Sequence, residues 1–377
     1  MSARQEQAAR SPSPARWIWT PRREYVNQHV YLRKRIELPA APAQARIRVT
    51  ADTRYRLFVN GAAILRGPAR GFPQMLPFDE LDIAPFLVAG PNVLAAHVLS
   101  FGVSTAQNVF RDRAGFYLEG VVTCANGAAV ALDTDATWRV HEAAGFRKHV
   151  SRSAPQLGYQ EHYDAARDTA AAPPGVPEWT CAAYDDAAWQ EPHVLGAAGV
   201  LPWRAMEERG IPLLETSAQL PRRIVGQWDA QDRLCSAPPD ESTCNVASAA
   251  AAETRRPAAT VWFQRAEALL SGGGARLVPV RPGACAALVV DFGETRFGHP
   301  VLRLSEAAGG EVFDLLYGEQ TAEGGIAVLP RTDASPGDRL ICRAGANRFE
   351  TLQARGFRYL MLIARNIRQP LTVEQLA

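Results

Sequence analysis

Three carboxylates in one stretch of the sequence have side chains suited to acid–base chemistry, and they are Asp291, Glu294 and Glu319. Positioned carboxylic acids can donate and accept protons in a transition state. Each of these residues lies in a strand-like or turn-like segment, where a solvated or turn-capping carboxylate is typical. No serine lies in a G-x-S-x-G motif, and no glycine run precedes a Lys-Ser/Thr pair. We therefore expect no catalytic residue in this chain.

The stretch that carries these carboxylates, residues 289–319, is predicted to be an antiparallel meander. Its β-type runs are residues 287–292, 301–304 and 311–317. The Gly309-Gly310 step separates the last two runs, and glycine accepts the positive φ that tight turns require. The meander would hold the carboxylates on strands and at turns of one sheet.

The composition favours an all-β protein with two domains. The 377 residues include 27 prolines and 29 glycines, which favour short strands joined by many turns. The length is ample for two cores. Lys and Arg number 41 against 39 Asp and Glu. The chain therefore lacks the excess positive charge that would attract nucleic acid or an anionic membrane. We expect no nucleic-acid partner and no membrane partner.

The cysteines and the N-terminus bear on metal binding and compartment. The six cysteines have no C-x-x-C pair and no histidine at ligand spacing, which disfavours a zinc site. Residues 1–15 are rich in Ser, Pro and Ala, lack the apolar core of a secretory signal and are expected to be disordered. No apolar run is long enough to span a bilayer. The simplest location is cytoplasmic, where thiols stay reduced.

Two β-rich blocks divide the chain. In the first, Trp17 and Trp19 are expected to share a face through the two-residue strand period, and Asn60-Gly61 is the strongest hairpin signal. The irregular residues 159–192 are expected to return to this block, because their aromatic side chains need a surface to bury against. A charged, proline-containing passage begins at residue 206. We place the first sandwich at residues 16–205 and the second at 206–377.

Several separated motifs support a family resemblance across nearly all of residues 16–377. They are WIW, TADTRYRLFVNG, GPNVLAAHVLSFG, YQEHYDAARD, YDDAAW, DFGETRFGHPVLRL, GGEVFDLLYGEQ and ARGFRYLML. In this order they resemble the non-catalytic N-terminal β-domains of bacterial α-L-rhamnosidases, which are inverting glycoside hydrolases. The resemblance implies two β-sandwich domains in tandem, of the jelly-roll, galactose-binding-like type. It also implies that the acid and base of the reaction lie on an (α/α)₆ barrel outside this sequence.

The same resemblance implies a sugar site assisted by calcium. Some relatives hold the ion with an Asp-Asn pair and a later Asn, and the matching positions here are Asp52, Thr53 and Ser100. Only the aspartate is kept, and calcium prefers carboxylate and carbonyl oxygens in sets of six to eight. Asp52 is therefore a candidate calcium ligand in a degraded site, and the alternative is that it caps the turn before the next strand.

Other candidates for sugar contact have ordinary structural alternatives. The loop at residues 67–73 presents Arg70 and Phe72 between turn residues, so it would line a groove or rigidly close the sandwich. Trp17, Trp19, Trp138 and Trp189 suit sugar stacking, but alternating strand positions favour their burial in the core. His97 lies in an apolar strand and is more typical of a satisfied core residue than of a metal ligand.

Three functional hypotheses follow. The first is a scaffold and contact module for rhamnose-containing glycans. It would work with a catalytic barrel on the same or a separate polypeptide. The second is a stand-alone lectin-like protein that uses loops at residues 67–73 and 103–112. The third is a hydrolase whose barrel is missing from this sequence.

Overall fold

The computed structural model describes residues 13–22, 25–72, 74–154, 156–171, 178–230, 243, 246, 262–279, 285–321 and 337–377. Strands make up 53% of the structure and helix 4%, with no helix of seven or more residues in the described part. The prediction of an all-β fold with tandem β-sandwiches is confirmed. None of the described helices is long and apolar enough to cross a membrane.

The chain folds as two units. The first comprises Met1–Ala143 and Ala170–Leu214, and the second comprises Ala144–Thr169 and Glu215–Ala377. Residues 144–169, which the sequence placed in the first sandwich, thus fold with the second. The reason is strand pairing, because His162–Asp164 pairs in parallel with Gly337–Ile341. Residues 206–214 stay with the first unit, where Met206–Glu208 pairs with Leu76–Asp82.

The first unit is a sandwich of a seven-stranded and a five-stranded sheet. Numbered along the whole chain, its strands are β1 (Arg16–Trp19), β2 (Gln28–Leu38), β3 (Pro42–Asp52), β4 (Arg54–Val59), β5 (Ala62–Gly67), β6 (Leu76–Asp82), β7 (Gly90–Ser100), β8 (Gly115–Cys124), β9 (Ala129–Ala131), β10 (Arg139–Glu142), β12 (His193–Ala197) and β13 (Met206–Glu208). The larger sheet has the order β12-β1-β8-β3-β6-β13 with β9 beside β8, and the smaller has the order β10-β2-β7-β4-β5. A 3₁₀ turn, Ala84–Phe86, precedes β7.

Alternating side chains of the two sheets form the core of the first sandwich. Ile47, Leu57, Leu94, Leu118 and Trp138 are among its fully buried members. The Asn-Gly hairpin prediction is confirmed, because Asn60 and Gly61 have φ of 48° and 85° and join β4 to β5.

The two tryptophans of β1 do not share a face, contrary to the sequence expectation. A register irregularity between Trp17 and Ile18 interrupts the two-residue period. Trp19 enters the core, and Trp17 joins a separate cluster with Tyr117 and Trp203. All four tryptophans considered above as stacking surfaces are buried, as their strand positions favoured.

The second unit is a sandwich of a six-stranded and a five-stranded sheet. Its strands are β11 (His162–Asp164), β14 (Arg223–Ala230), β15 (Phe263–Gln264), β16 (Ala275–Leu277), β17 (Cys285–Gly298), β18 (Val301–Ala307), β19 (Val312–Gly318), β20 (Gly337–Ile341), β21 (Gly345–Glu350), β22 (Arg355–Arg365) and β23 (Leu371–Leu376). The sheet orders are β11-β20-β19-β22-β17-β14 and β15-β16-β23-β18-β21, and a 3₁₀ segment, Ala266–Ser271, follows β15.

The predicted meander is wrong in its pairing, although its three strands exist as β17, β18 and β19. β17 and β19 both pair with β22 in the six-stranded sheet, whereas β18 pairs with β21 and β23 in the opposite sheet. The chain therefore crosses between sheets twice. Gly309 and Gly310, with φ of 100° and 88°, make the return. The crossing lets β18 place Leu302 and Leu304 in the same core as Phe313 and Leu315 of β19.

Some sequence expectations fall partly or wholly outside the described residues. These are the leader up to residue 12, the low-complexity residues 236–257 apart from 243 and 246, and Cys235, Cys244 and Pro73. Within the predicted disordered leader, Ala15 is described and is fully buried against Trp17. Ordered structure therefore begins before Trp17, where the sequence placed its start.

Candidate functional site

The predicted sugar-contact residues meet at one end of the first sandwich. The segments at residues 52–54, 67–72 and 101–113 lie there, and we call them the loop end. Arg111 links them, since its Nη1 donates to Asp52 Oδ2 at 3.1 Å and its Nη2 donates to the carbonyl oxygen of Phe72 at 3.1 Å. Arg70 Nη2 donates to the carbonyl oxygen of Ala106 at 2.6 Å. Asp52, Arg70 and Phe72 therefore belong to one cluster, together with Arg111.

Asp52 is the buried member of this cluster. Its side chain is 1% exposed, and Oδ2 also accepts a hydrogen bond from Trp203 Nε1 at 3.1 Å. Burial raises the pKa of Asp52, while the charge of Arg111 and the Trp203 hydrogen bond oppose that shift. The ring of Trp203 stacks on Trp17 with centroids 4.0 Å apart. The aspartate thus holds the loop at residues 101–113 against the sheet.

The donor set at Asp52 does not suit calcium. Calcium needs six to eight oxygens, but the carboxylate here is already ion-paired to Arg111. The Thr53 hydroxyl accepts the backbone N–H of Phe101 at 3.2 Å. Across the described ranges, no group of three or more His, Cys, Asp or Glu side chains could hold a metal ion. A guanidinium supplies the positive charge next to Asp52.

Positive charge exceeds negative charge at the loop end. Arg54 lies close enough to Asp52 and Arg70 to sense both charges. Burial lowers the pKa of Arg54, Asp52 opposes this, and Arg70 adds to it. The Arg54 guanidinium donates to the carbonyl oxygen of Thr53 at 3.1 Å and lies 5.9 Å from the centre of the Phe101 ring. Arg111 and Arg54 therefore share one buried carboxylate, and Arg70 lies close to Arg54.

Exposed apolar side chains surround these arginines. The side chain of Phe72 is 76% exposed, and Val109 on the facing segment is also exposed. Phe110 packs on Tyr25 with ring centroids 6.2 Å apart. The loop end therefore presents exposed apolar side chains beside arginines.

A second concave feature of the first sandwich lies on the outer face of its larger sheet. This groove of about 380 Å³ is lined by Ser13, Pro14, Gln44, Arg46, Arg48, Glu80, Glu119, Gly120, Val121, Thr123 and Asp133. Arg48 bridges two strands, with Nε 2.8 Å from Glu80 Oε2 and Nη1 3.4 Å from Glu119 Oε1. Arg46 completes the row at 3.0 Å from Glu80. Opposite charges are therefore paired along this groove.

A pair of histidines lies buried on the smaller sheet of the same sandwich. His29 Nδ1 and His97 Nε2 are 2.9 Å apart, so one ring donates to the other. Burial lowers the pKa of His29 to about 3, and burial together with His29 lowers the pKa of His97. His97 is therefore a hydrogen-bonded buried residue, as its strand position favoured.

The carboxylates of the second sandwich are held by arginines or exposed. Arg358 donates to both oxygens of Asp291 at 2.9 and 3.0 Å, and the Gly293 N–H donates at 2.7 Å. These hydrogen bonds lower the pKa of Asp291, so it is a poor proton donor. Glu294 pairs with Arg296 at 2.5 Å, and Glu319 is exposed. The arrangement gives each carboxylate a structural environment.

A cluster that sequence reasoning missed lies inside the second sandwich, and we call it the Glu161–Asp338 cluster. Glu161 accepts the backbone N–H groups of Leu352 and Gln353, both at 2.8 Å. Arg355 donates to Asp338 at 2.7 and 2.8 Å and lies 3.7 Å from Glu161. Burial raises the pKa of Glu161 to about 7. The motif YQEHYDAARD contains Glu161, but a buried carboxylate gives no periodic signal without knowledge of its partners.

Part of this chain matches a known protein family. Residues 40–208 match the family described as "Alpha-L-rhamnosidase N-terminal domain". These residues form a rhamnosidase N-terminal domain. The resemblance stated from the sequence motifs is therefore confirmed. The comparison with curated proteins finds no match.

Solved structures of rhamnosidases share the fold of both sandwiches. The GH78 family rhamnosidase of Bacillus sp. GL1 matches with a TM-score of 0.75 at 21% identity, over 97% of this chain and 55% of that one. The α-L-rhamnosidase from Dictyoglumus thermophilum matches at 0.62 and 14% identity, over 95% and 35%. That from Streptomyces avermitilis, solved with L-rhamnose, matches at 0.53 and 19%, over 93% and 29%. The chain spans about half or less of the length of these relatives.

Proposed function

We propose that this chain is the non-catalytic β-sandwich portion of an α-L-rhamnosidase-like glycoside hydrolase. It acts as a scaffold for a catalytic (α/α)₆ barrel and contacts rhamnose-containing glycans. The observation that carries the proposal is the rhamnosidase N-terminal domain at residues 40–208. The proposal includes a cytoplasmic location, where the free thiols of Cys124, Cys181, Cys285 and Cys342 would stay reduced.

The ion pairs of the second sandwich support a non-catalytic role for the chain alone. Inverting hydrolysis needs a protonated acid and a carboxylate base about 6.5–9.5 Å apart, with a water between base and sugar. Asp291 is held in its charged form by Arg358, and Glu294 is paired with Arg296. Neither is poised to donate a proton to a leaving group.

Hydrolysis of an aryl α-L-rhamnoside tests the scaffold role. We expect the purified chain to release no more aryl alcohol than a protein-free blank, and we expect it to capture an (α/α)₆ rhamnosidase barrel in a pull-down. Glu319→Gln is the matched variant, because Glu319 is exposed and its loss leaves the fold intact. Turnover by the chain that disappears in Glu319→Gln would favour the hydrolase hypothesis instead.

Titration with L-rhamnose, with and without calcium, tests the glycan contact. We expect any rhamnose binding to be independent of calcium, because Arg111 already neutralises Asp52. Saturable binding that requires calcium and is lost in Asp52→Ala would favour the calcium-assisted lectin hypothesis. The exposed Phe72 ring is the specific feature that keeps a lectin-like role as the second candidate.

A further inference from the structure

The guanidinium groups of Arg54 and Arg70 at the loop end have more N–H donors than their hydrogen bonds use. A guanidinium carries five N–H donors. Arg54 uses one hydrogen bond to the carbonyl oxygen of Thr53, and Arg70 uses one to the carbonyl oxygen of Ala106. In the part of the chain that the structure describes, neither forms an ion pair within 4.0 Å. Arg70 is exposed and Arg54 is half-buried, and each has N–H groups beyond the one that its carbonyl acceptor uses.

The one buried carboxylate nearby does not balance them. Asp52 Oδ2 accepts from both Arg111 and Trp203, which leaves its charge committed to a third arginine. Burial is the main cause of the lowered pKa of Arg54, and the charge of the nearby Arg70 adds to it. An anion between the two guanidinium groups would relieve their mutual repulsion. The geometry and charge of the loop end both favour an incoming anion.

The aromatic ring of Phe72 indicates which kind of anion would bind. Phe72 directly follows the glycine after Arg70 in the chain, and its ring is 76% exposed. An aromatic face suits the apolar face of a pyranose ring, and arginine matches a carboxylate with two parallel hydrogen bonds. A hexuronate offers both features on one residue, whereas a neutral sugar offers no negative charge to two guanidinium groups.

We propose that the loop end binds an acidic sugar, with the carboxylate of a hexuronate held by Arg54 and Arg70 and its ring placed against Phe72. This inference rests on the proposed glycan-contacting function and specifies the chemical class of the glycan. In a rhamnose-containing glycan, the uronate would be a residue neighbouring rhamnose.

Binding of methyl β-D-glucuronide, compared with methyl β-D-glucoside, tests the inference by calorimetry or NMR titration. We expect saturable binding of the glucuronide only, weakened by added salt because the contact is ionic. Arg70→Gln should weaken it about tenfold, as expected for the loss of one charge-assisted hydrogen bond. Arg70 is exposed, so the variant should fold normally. Equal binding of the two glycosides, or unchanged binding by Arg70→Gln, would overturn the inference.

Controls separate this inference from its alternatives. Arg46→Gln removes an exposed arginine of the groove on the sheet face and should leave glucuronide binding unchanged. Inorganic sulfate that displaces the glucuronide at equal charge concentration would indicate a simple oxyanion site and contradict the sugar assignment. Binding of the glucuronide without L-rhamnose binding contradicts only the rhamnose part of the proposed function. Binding of L-rhamnose without the glucuronide contradicts only this inference.

Discussion

The loop end of the first sandwich and the Glu161–Asp338 cluster of the second balance charge in opposite ways. At the loop end, the buried carboxylate of Asp52 pairs with Arg111 and lies near Arg54, and Arg70 lies near Arg54. In the cluster, the two carboxylates share a single guanidinium, that of Arg355. The first site therefore has an excess of positive charge and the second an excess of acceptors.

The two sites also differ in which groups act as partners of their charged side chains. The acceptors of the Glu161–Asp338 cluster are filled by the protein itself, through backbone N–H groups and the Tyr317 hydroxyl at 2.9 Å from Asp338. A fully satisfied buried network fixes one arrangement of the chain. At the loop end Arg70 is exposed and Arg54, on β4, is half-buried, and in our proposal an acidic sugar accepts hydrogen bonds from both. On this proposal, charged groups serve folding in the second sandwich and recognition in the first.

Asp338→Ala should give the largest effect on stability. The substitution removes the acceptor of two Arg355 hydrogen bonds. The buried guanidinium then keeps the carbonyl oxygen of Tyr159 at 3.4 Å and the carboxylate of Glu161 at 3.7 Å. Breaking a buried ion pair by removing one partner costs about 3–5 kcal/mol. Urea denaturation measures the free energy of unfolding. Arg348→Gln is the control, because Arg348 is largely exposed and ion pairs of exposed side chains contribute about 0–1 kcal/mol. Equal losses in the two variants would show that the cluster is not structural.

Strand locations could be predicted from sequence better than strand partners. Residues 301–304 alternate as a strand should, and β18 is where the pattern placed it. Local periodicity does not state which sheet a strand joins, so the crossing of β18 to the opposite sheet could not be predicted. The same limit applies to residues 144–169, whose partner β20 lies far along the chain.

The candidate site was predictable only in part. Arg70 and Phe72 were found because turn residues frame them, and Asp52 was found through a family motif. Arg111 gave no signal, because an arginine in an irregular loop is usually solvated. Its role depends on a contact 59 residues away in sequence, which only the fold creates.

Acidification should weaken the first sandwich more than the second. His29 has its pKa lowered to about 3 and His97 is also lowered, so the unfolded chain takes up protons below its value of 6.5 while the folded chain does not. Stability contributed by these neutral rings is present above pH 6.5 and is lost as pH falls, by up to about 1.4 kcal/mol per pH unit for each ring. Asp52 and Asp79, whose pKa is raised by burial, oppose this in a window that starts at the unfolded value of 3.8.

In the second sandwich two groups act in opposite directions. His162, with a pKa of about 3, loses stability on acidification in the same way as His29. Glu161, raised from 4.5 to about 7, holds its proton more tightly when folded, so its contribution to stability grows as pH falls from 7 to 4.5. Hydrogen exchange at pH 7.5, 6.5 and 5.5 resolves the two sandwiches. A steeper loss of protection in the second sandwich would reverse this comparison.

The smallest expected change comes from Arg46→Gln in the groove on the sheet face. Arg46 is largely exposed, and its partner Glu80 keeps a second bond to Arg48 at 2.8 Å. We expect the free energy of unfolding to fall by less than about 1 kcal/mol, and by still less at high salt, because exposed ion pairs are weak and screened. A larger loss in urea denaturation would mean that the groove, like the Glu161–Asp338 cluster, is part of the architecture. A small loss would confirm that the groove differs from the Glu161–Asp338 cluster, in which the ion pairs are buried.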